Sequence, residues 1–460
     1  MNKQIINLLI RILGPKAVLF TPEDLATYSY DGTFVESNPG VVVLPETTQQ
    51  VSQVVQLAAE KHLPVVPRGM GSGLAAGSVP FPDNSVVISL TRMNHTREID
   101  TLNAIVKTEA GVITADLQAA VEKHGLFYPP DPSSIRHSTI GGNIACNAGG
   151  PRCLKYGVTG DYVLGLTVVL ADGRVLNTGG EVIKDVTGYD LKRLFTGSEG
   201  TLGLITEATL RLIAKPQFTR TALIDFVSLE NASQTVNAVL SSGIVPATLE
   251  LMDQTALVCI EQAMKLGLET NIEASLLIET DGNDERTVAH EIENVVRVCE
   301  ANGARSVKLA QGAAERDKLW LARRSISPSL ARKAPNKLGE DITVPRSAIP
   351  EVIRKIRGIS AHYELPIVIF GHAGDGNLHP NILFDKRQPD QWEKVEAMVA
   401  EIFEAALAVG GTLSGEHGIG TLKLPYLEKA LGPVSIDVQK QIKTSLDPNN
   451  IFNPGKMFID

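Results

Sequence analysis

The chain has 460 residues, 43% of them hydrophobic and 21% charged, and a formal net charge of −9. That length provides for two or three domains with ample core, and the acidic balance argues against a nucleic-acid surface. No apolar run approaches the ~20 residues that span a bilayer. The four cysteines (Cys146, Cys153, Cys259 and Cys299) have no CxxC or cluster spacing, so they read as reduced cytoplasmic thiols and argue against an internal iron–sulfur cluster.

The N-terminal Ile5-Ile-Asn-Leu-Leu-Ile10, interrupted by Arg11, has the spacing of an amphipathic helix and not of a signal peptide. Val41-Val-Val-Leu44 and Val65-Val66 read as strands around a helix from Thr48 to Lys61, a β-α-β start. The second strand enters Pro67-Arg-Gly-Met-Gly-Ser-Gly-Leu-Ala-Ala-Gly77. Its glycines leave amide N–H groups unobstructed, as an anion nest for a pyrophosphate requires, although a flexible turn would look the same. A nicotinamide fingerprint fails here: the spacing is Gly71-x-Gly73-x-x-x-Gly77, and Pro80 and Pro82 follow, so no helix starts. Ala104 to Ala110 reads as a strand and Thr114 to Lys123 as a helix. Tyr128 to Ser134 and Ser138 to Gly150 read as an irregular stretch whose Gly, Asn and small residues can lay backbone against a flat ligand, or as a long surface loop. A strand from Leu164 to Leu170, a turn at Ala171-Asp-Gly-Arg174, the segment Gly197-Ser-Glu-Gly-Thr-Leu-Gly-Leu-Ile205 and a strand from Ala208 to Leu212 complete the first half.

Beyond Lys215 the pattern becomes two β-α-β sets, Ala222 to Leu251 and Ser275 to Leu309, which predicts an α+β region. Trp320-Leu-Ala-Arg-Arg324 lies on a helix. Ile367-Val-Ile-Phe370 then runs into His372, Asn381-Ile-Leu-Phe384 runs out of His379, and Gly374-Asp-Gly-Asn377 between them is a turn signal. The predicted hairpin puts His372 and His379 side by side at its closing ends. Glu416, in the separate glycine-rich loop Gly410 to Gly420, would supply a third ligand. Two His and one carboxylate with an open position form the pattern of a catalytic metal site, although two histidines that merely cap a hairpin would have the same spacing. His417 has glycine on one side and Glu416 on the other, and can reach a substrate at close range, although an ordinary turn histidine would have the same neighbours.

Together these segments resemble the FAD-binding domain of the vanillyl-alcohol oxidase and p-cresol methylhydroxylase superfamily, in the branch that holds D-lactate dehydrogenase, D-2-hydroxyglutarate dehydrogenase and the flavin-binding chain of glycolate oxidase. The resemblance covers nearly the whole chain, through the His372–His379 hairpin, Gly415-Glu-His-Gly-Ile-Gly420 and the final Asp447-Pro-Asn-Asn-Ile-Phe-Asn-Pro-Gly-Lys456. It implies an α+β architecture: a two-part FAD-binding domain (1–215), a ferredoxin-like cap carrying the substrate and metal residues (216–425), and a C-terminal segment (426–460) that returns to the FAD domain. It also implies roles. Pro67, Arg68, Gly69, Gly71, Ser72 and Gly73 would hold the pyrophosphate. Pro132, Ser138, Thr139, Gly142, Asn143 and Ala145 would line the ribityl chain and isoalloxazine, and Gly200 and Ile205 the adenine side. Arg323 would bind a substrate carboxylate bidentately, Asn381 would support the residues around the substrate and metal, and His417 would be the base. No His lies between Pro67 and Gly77, so FAD is expected to be non-covalent, with Cys146 left open as a tether.

A flavin with a divalent metal (Zn, Mn, Fe or Co) held by His372, His379 and Glu416 suits oxidation of a 2-hydroxy acid, whose hydroxyl and carboxylate chelate one cation. Imidazole, with an ordinary pKa of ~6.5, suits the base at His417. Glycolate and D-lactate are the expected substrates. The branch that takes 2-hydroxyglutarate carries a lysine where this chain has Leu338-Gly-Glu-Asp341, although Lys337 is adjacent. The chain has no haem motif or nicotinamide fingerprint, so electrons are expected to pass to an external acceptor: an iron–sulfur subunit, an electron-transferring flavoprotein, a cytochrome or a quinone. A homodimer, an oxygen-using flavin oxidase and a flavin-bearing electron-transfer subunit without its own substrate chemistry stay open.

Overall fold

The structure, a computed structural model, describes residues 1–458. The chain forms two compact units from non-contiguous stretches. Residues 1–149, 158–215 and the segment from Glu416 onward make the first; residues 150–157 and 216–415 make the second.

In the first unit, the valine runs become strands Val41–Val43, Val65–Arg68 and Val86–Ser89. The first two both pair in parallel with the third. Nearly every side chain in these strands is buried, as unbroken β-branched runs in a parallel sheet should be. Helix Thr48–Glu60 makes the crossover; Thr47 caps it, and Val51, Val54, Val55, Leu57 and Ala58 line its buried side. The N-terminal helix Lys3–Leu13 lays its apolar residues on the same core. A second, five-stranded antiparallel sheet follows the order Thr96–Asp100, Ile105–Glu109, Leu204–Arg211, Val163–Val169, Val175–Gly179.

The structure differs from the sequence expectation at residues 138–150, which contain a helix, Ile140–Cys146. Local capping explains it. Thr139 Oγ1 accepts the Gly142 N–H at the start, and Asn147 turns left-handed at φ +50° to end it. Two adjacent glycines hide this helix from periodicity alone.

In the second unit, strands Ala304–Leu309, Phe218–Phe226, Ala274–Gly282 and Thr248–Asp253 lie side by side, all antiparallel. Numbered along the chain, that is the order 4-1-3-2 of a ferredoxin-like sheet. The hairpin Ile367–His372/Asn377–Phe384 extends it from the Thr248–Asp253 edge, and Asn336–Gly339 and Ile342–Thr343 pair beyond. One helix, Gln254–Met264, was not legible as a separate element; Asp253 caps it by accepting the Ala256 N–H. It packs with helix Ala313–Arg324 on the face that carries Leu223, Met252, Leu277, Phe370 and Leu383. No helix among the described residues is long and apolar enough to cross a membrane.

Candidate functional site

Strand register decides which side chains of the second unit meet. Phe370 pairs with His379 and His372 with Asn377. Side chains alternate along a strand, so Phe370, His372, Asn377, His379 and Asn381 all project from one face. The strand begins at Asn377, which places His379 inside it and not at the closing end expected from the turn signal. The two imidazoles still meet edge to face, with centroids 5.1 Å apart.

Behind them is a buried ionic network. Glu250, on the neighbouring strand, is wholly enclosed. Its Oε1 lies 2.7 Å from His372 Nδ1, and its Oε2 accepts from Arg323 Nε at 2.7 Å. Burial pushes the Glu250 carboxyl up, but His372 and Arg323 outweigh it and hold the group below the usual carboxylate range. Arg323 comes from helix Ala313–Arg324, where Trp320 is one turn earlier and equally buried. Its guanidinium lies 4.9 Å from the centroid of Phe370, and Trp320 Nε1 donates to Glu279 Oε2 at 2.9 Å. Asn381 Nδ2 donates to the His379 carbonyl at 2.9 Å.

Asp341 is a second enclosed carboxylate. Oδ1 accepts from Asn377 Nδ2 at 2.7 Å and lies 3.8 Å from His379 Nδ1. Oδ2 accepts from Ser414 Oγ at 2.7 Å and from the Gly415 N–H at 3.0 Å. At His372 the carboxylate is within hydrogen-bond distance of Nδ1, the arrangement that fixes an imidazole's tautomer and presents Nε2 to a divalent cation; at His379 the Asp341 carboxylate is near Nδ1 but beyond hydrogen-bond distance. Two imidazoles with buried carboxylates beside them are a donor set that fits a metal. Glu416 follows Gly415 by one peptide bond.

In the first unit, Pro67 and Arg68 end a strand, and Gly69, Gly71, Ser72 and Gly73 form the half-buried turn after it. A Cβ on Gly69 would lie 2.3 Å from Thr139 Oγ1 and one on Gly71 2.2 Å from the Arg68 guanidinium. The turn thus presses its backbone against the start of helix Ile140–Cys146, a cradle that side chains would fill and that fits a phosphate-bearing cofactor. Arg68 works from beneath: its Nη1 donates to the Ser78 carbonyl at 3.1 Å, and burial depresses its pKa. Lys456, from the C-terminal tail, does the same at Gly77 O (2.8 Å) and Val79 O (2.6 Å). Burial pushes its ammonium down to about 7. Ser138 and Asn143 meet through Thr114, whose Oγ1 is 3.0 Å from Ser138 Oγ and accepts from Asn143 Nδ2 at 2.7 Å. Gly142 and Ala145 lie on the helix, Pro132 in the turn before it, Gly200 against the Pro67 ring, and Ile205 buried on strand Leu204–Arg211.

Glu416 and His417 open the last segment of the first unit, both half-buried. Three residues on, Gly420 lies against Glu199, whose carboxylate accepts the Ile419 and Gly420 amides.

Glu250, Asp341, Thr114, Glu199 and Lys456 were all absent from the sequence-derived set. Only Glu250 carries a local signal, a lone carboxylate in the apolar strand Thr248-Leu-Glu-Leu-Met, which requires a buried cation as partner.

Comparison with known proteins adds ancestry. Residues 39–179 match the family model described as FAD binding domain, and residues 215–457 the one described as FAD linked oxidases, C-terminal domain. Glycolate oxidase subunit GlcD of Bacillus subtilis (strain 168) is 47% identical over 458 residues, 99% of this chain and 97% of its own. The D-lactate dehydrogenase of Anaerostipes hadrus is 37% identical over 454 residues, 97% of this chain and 95% of its own. The solved structure of p-cresol methylhydroxylase with substrate bound has a TM-score of 0.83 at 18% identity, covering 99% of this chain and 96% of that one. At that identity the likeness establishes the fold.

Proposed function

The chain belongs to the FAD-linked oxidases, and on that footing we propose that it is an FAD-dependent dehydrogenase of a small D-2-hydroxy acid, D-lactate or glycolate. The observation that carries this is the enclosed Glu250 carboxylate joining Arg323 Nε to His372 Nδ1. It holds the Arg323 guanidinium near His372, which supports a reading in which the guanidinium takes the carboxylate of a 2-hydroxy acid and the imidazole side its hydroxyl. The glycolate oxidase and D-lactate dehydrogenase relatives support the same substrate class.

FAD would be held non-covalently by the turn after Pro67 and by Thr139 to Ala145; when bound, it supplies the acceptor for the Cα hydride. The Cys146 thiol, pushed up to about 12 by burial, is a poor nucleophile for a tether. A divalent cation would be held by His372, His379 and Glu416; when bound, it lowers the pKa of the substrate hydroxyl. Arg323 offers its terminal nitrogens to the substrate carboxylate, because Nε is engaged by Glu250. Asn381 steadies the first residues of this set through the His379 backbone. His417 accepts the hydroxyl proton. Lys337 Nζ is bonded to Ser327 Oγ, which supports a small acid over one with a distal carboxylate. The Bacillus relative is named a subunit, which supports an external protein acceptor for the electrons.

The test is an anaerobic visible spectrum of the metal-replete protein before and after D-lactate and, separately, glycolate. Bleaching of the flavin band by one of them and not by L-lactate is expected. A flavin band that no small 2-hydroxy acid bleaches would leave the family standing and remove the substrate. Rapid oxygen consumption on turnover would convert the dehydrogenase into an oxidase.

A further inference from the structure

Glu199 occupies a costly position. Its backbone is left-handed at φ +50°, between Gly197 at +79° and Gly200 at +69°, and its carboxylate is enclosed. Left-handed backbone penalises any residue with a Cβ, and an unpaired buried carboxylate is worse. One arrangement offsets both. Oε1 accepts the Ile419 amide and Oε2 the Gly420 amide, each at 2.7 Å. The Glu199 backbone is itself pinned: its N–H donates to Ala145 O at 2.8 Å, and its carbonyl accepts from Asn453 Nδ2 at 2.7 Å. The far end of the clamped loop is held as well, by Thr421 N–H to Ala75 O (3.0 Å) and Met457 N–H to Gly420 O (3.1 Å). The packing leaves no slack, since a Cβ on Gly420 would lie 1.8 Å from Ala75 O.

We propose that Glu199 is a positioning residue: its carboxylate clamps two consecutive amides and thereby aims His417, two residues before the first of them. Two parallel N–H donors on one carboxylate fix direction as well as place, which a glycine-rich loop cannot do for itself. The same residue meets helix Ile140–Cys146 at Ala145, so base and cofactor cradle share one anchor. This rests on His417 being the proton acceptor.

Glu199→Gln tests it, because the amide keeps one acceptor and turns an NH₂ toward the other N–H. A displaced base of this kind costs on the order of 10- to 100-fold in rate. The expected result is that loss in kcat with KM changed less than about threefold, unchanged flavin content, and faster hydrogen exchange confined to residues 416–421. Exchange in the wild-type holoprotein gives an answer even if the variant does not fold: the Ile419 and Gly420 amides should be as protected as strand Leu204–Arg211. Wild-type amides that exchange like an exposed loop would overturn the clamp. So would a variant that loses protection but turns over normally, or one that loses flavin and kcat in proportion. If His417→Asn turns over normally, the assignment of the base fails while the exchange result stands.

Discussion

Glu250 shows how one residue sets the chemistry of its neighbours. It is the shared acceptor for Arg323 and His372, and no solvent reaches it. Glu250→Gln would leave a buried guanidinium with half its partner, a change that costs about 3–5 kcal/mol where a buried pair is broken. We expect a matching loss in urea unfolding and a metal affinity lower by about 10- to 100-fold, since the carboxylate behind a ligating histidine contributes that much. Equal metal retention in dialysed wild type and variant would refute its place behind the ligand. Two adjacent residues separate the remaining roles: Glu416→Gln should weaken metal retention and keep the flavin, and His417→Asn should keep both and lose turnover. Metal analysis, the flavin spectrum and steady-state rates read these out; loss of flavin from either variant would contradict the division.

At the scale of elements, the hairpin was legible because its turn and its apolar flanks are local. Its register was not. Only the pairing of Phe370 with His379 puts both histidines on the face of Glu250, and a slip of one residue would turn them to the other side. Asp253 ties the hairpin to the helix beside it. Oδ1 caps the helix at Ala256, and Oδ2 accepts the Ile369 N–H at 2.8 Å. Burial raises its carboxyl from 3.8 to about 6. A raised pKa means that the folded state holds the proton more tightly than the unfolded state. The stabilisation linked to that proton is therefore complete below about pH 4 and lost as pH rises through about 6. A difference of that size corresponds to about 3 kcal/mol. The stability advantage of wild type over Asp253→Asn should shrink between pH 4 and pH 6, by up to that amount, in urea unfolding of the two proteins. Parallel curves would show that Asp253 does not titrate there.

At the scale of the molecule, the first unit is closed by its last residues. Strand Val65–Arg68 meets Phe452 in a parallel bridge, and Lys456 holds the carbonyls at both ends of residues 77–79. A lysine so enclosed holds the far end of the glycine-rich stretch that begins at Pro67, from a position nearly 400 residues away in the chain. Lys456→Met should keep the second unit intact and weaken FAD retention by at least about tenfold, because two buried carbonyls lose their donor. Fluorescence titration of the apoprotein with FAD measures this; unchanged affinity would limit the tail to a packing role.

The sequence by itself determined the strands and helices whose periodicity is local, the glycine turn after Pro67, and the pair of histidines around a turn. Through its motifs it also determined the family. These features lie within a few residues of one another, where spacing translates directly into geometry. Only the tertiary structure decided what stands behind them: Glu250 for His372 and Arg323, Asp341 for His379, Thr114 for Ser138 and Asn143, Glu199 for the loop after His417, and Lys456 for the Gly77 end of the glycine-rich stretch. Each is a buried polar group whose partner comes from another part of the chain. A carboxylate or a lysine looks the same in a sequence whether it faces water or a neighbour 100 residues away, and the cost of burying it unpaired takes effect only once the sheets are packed.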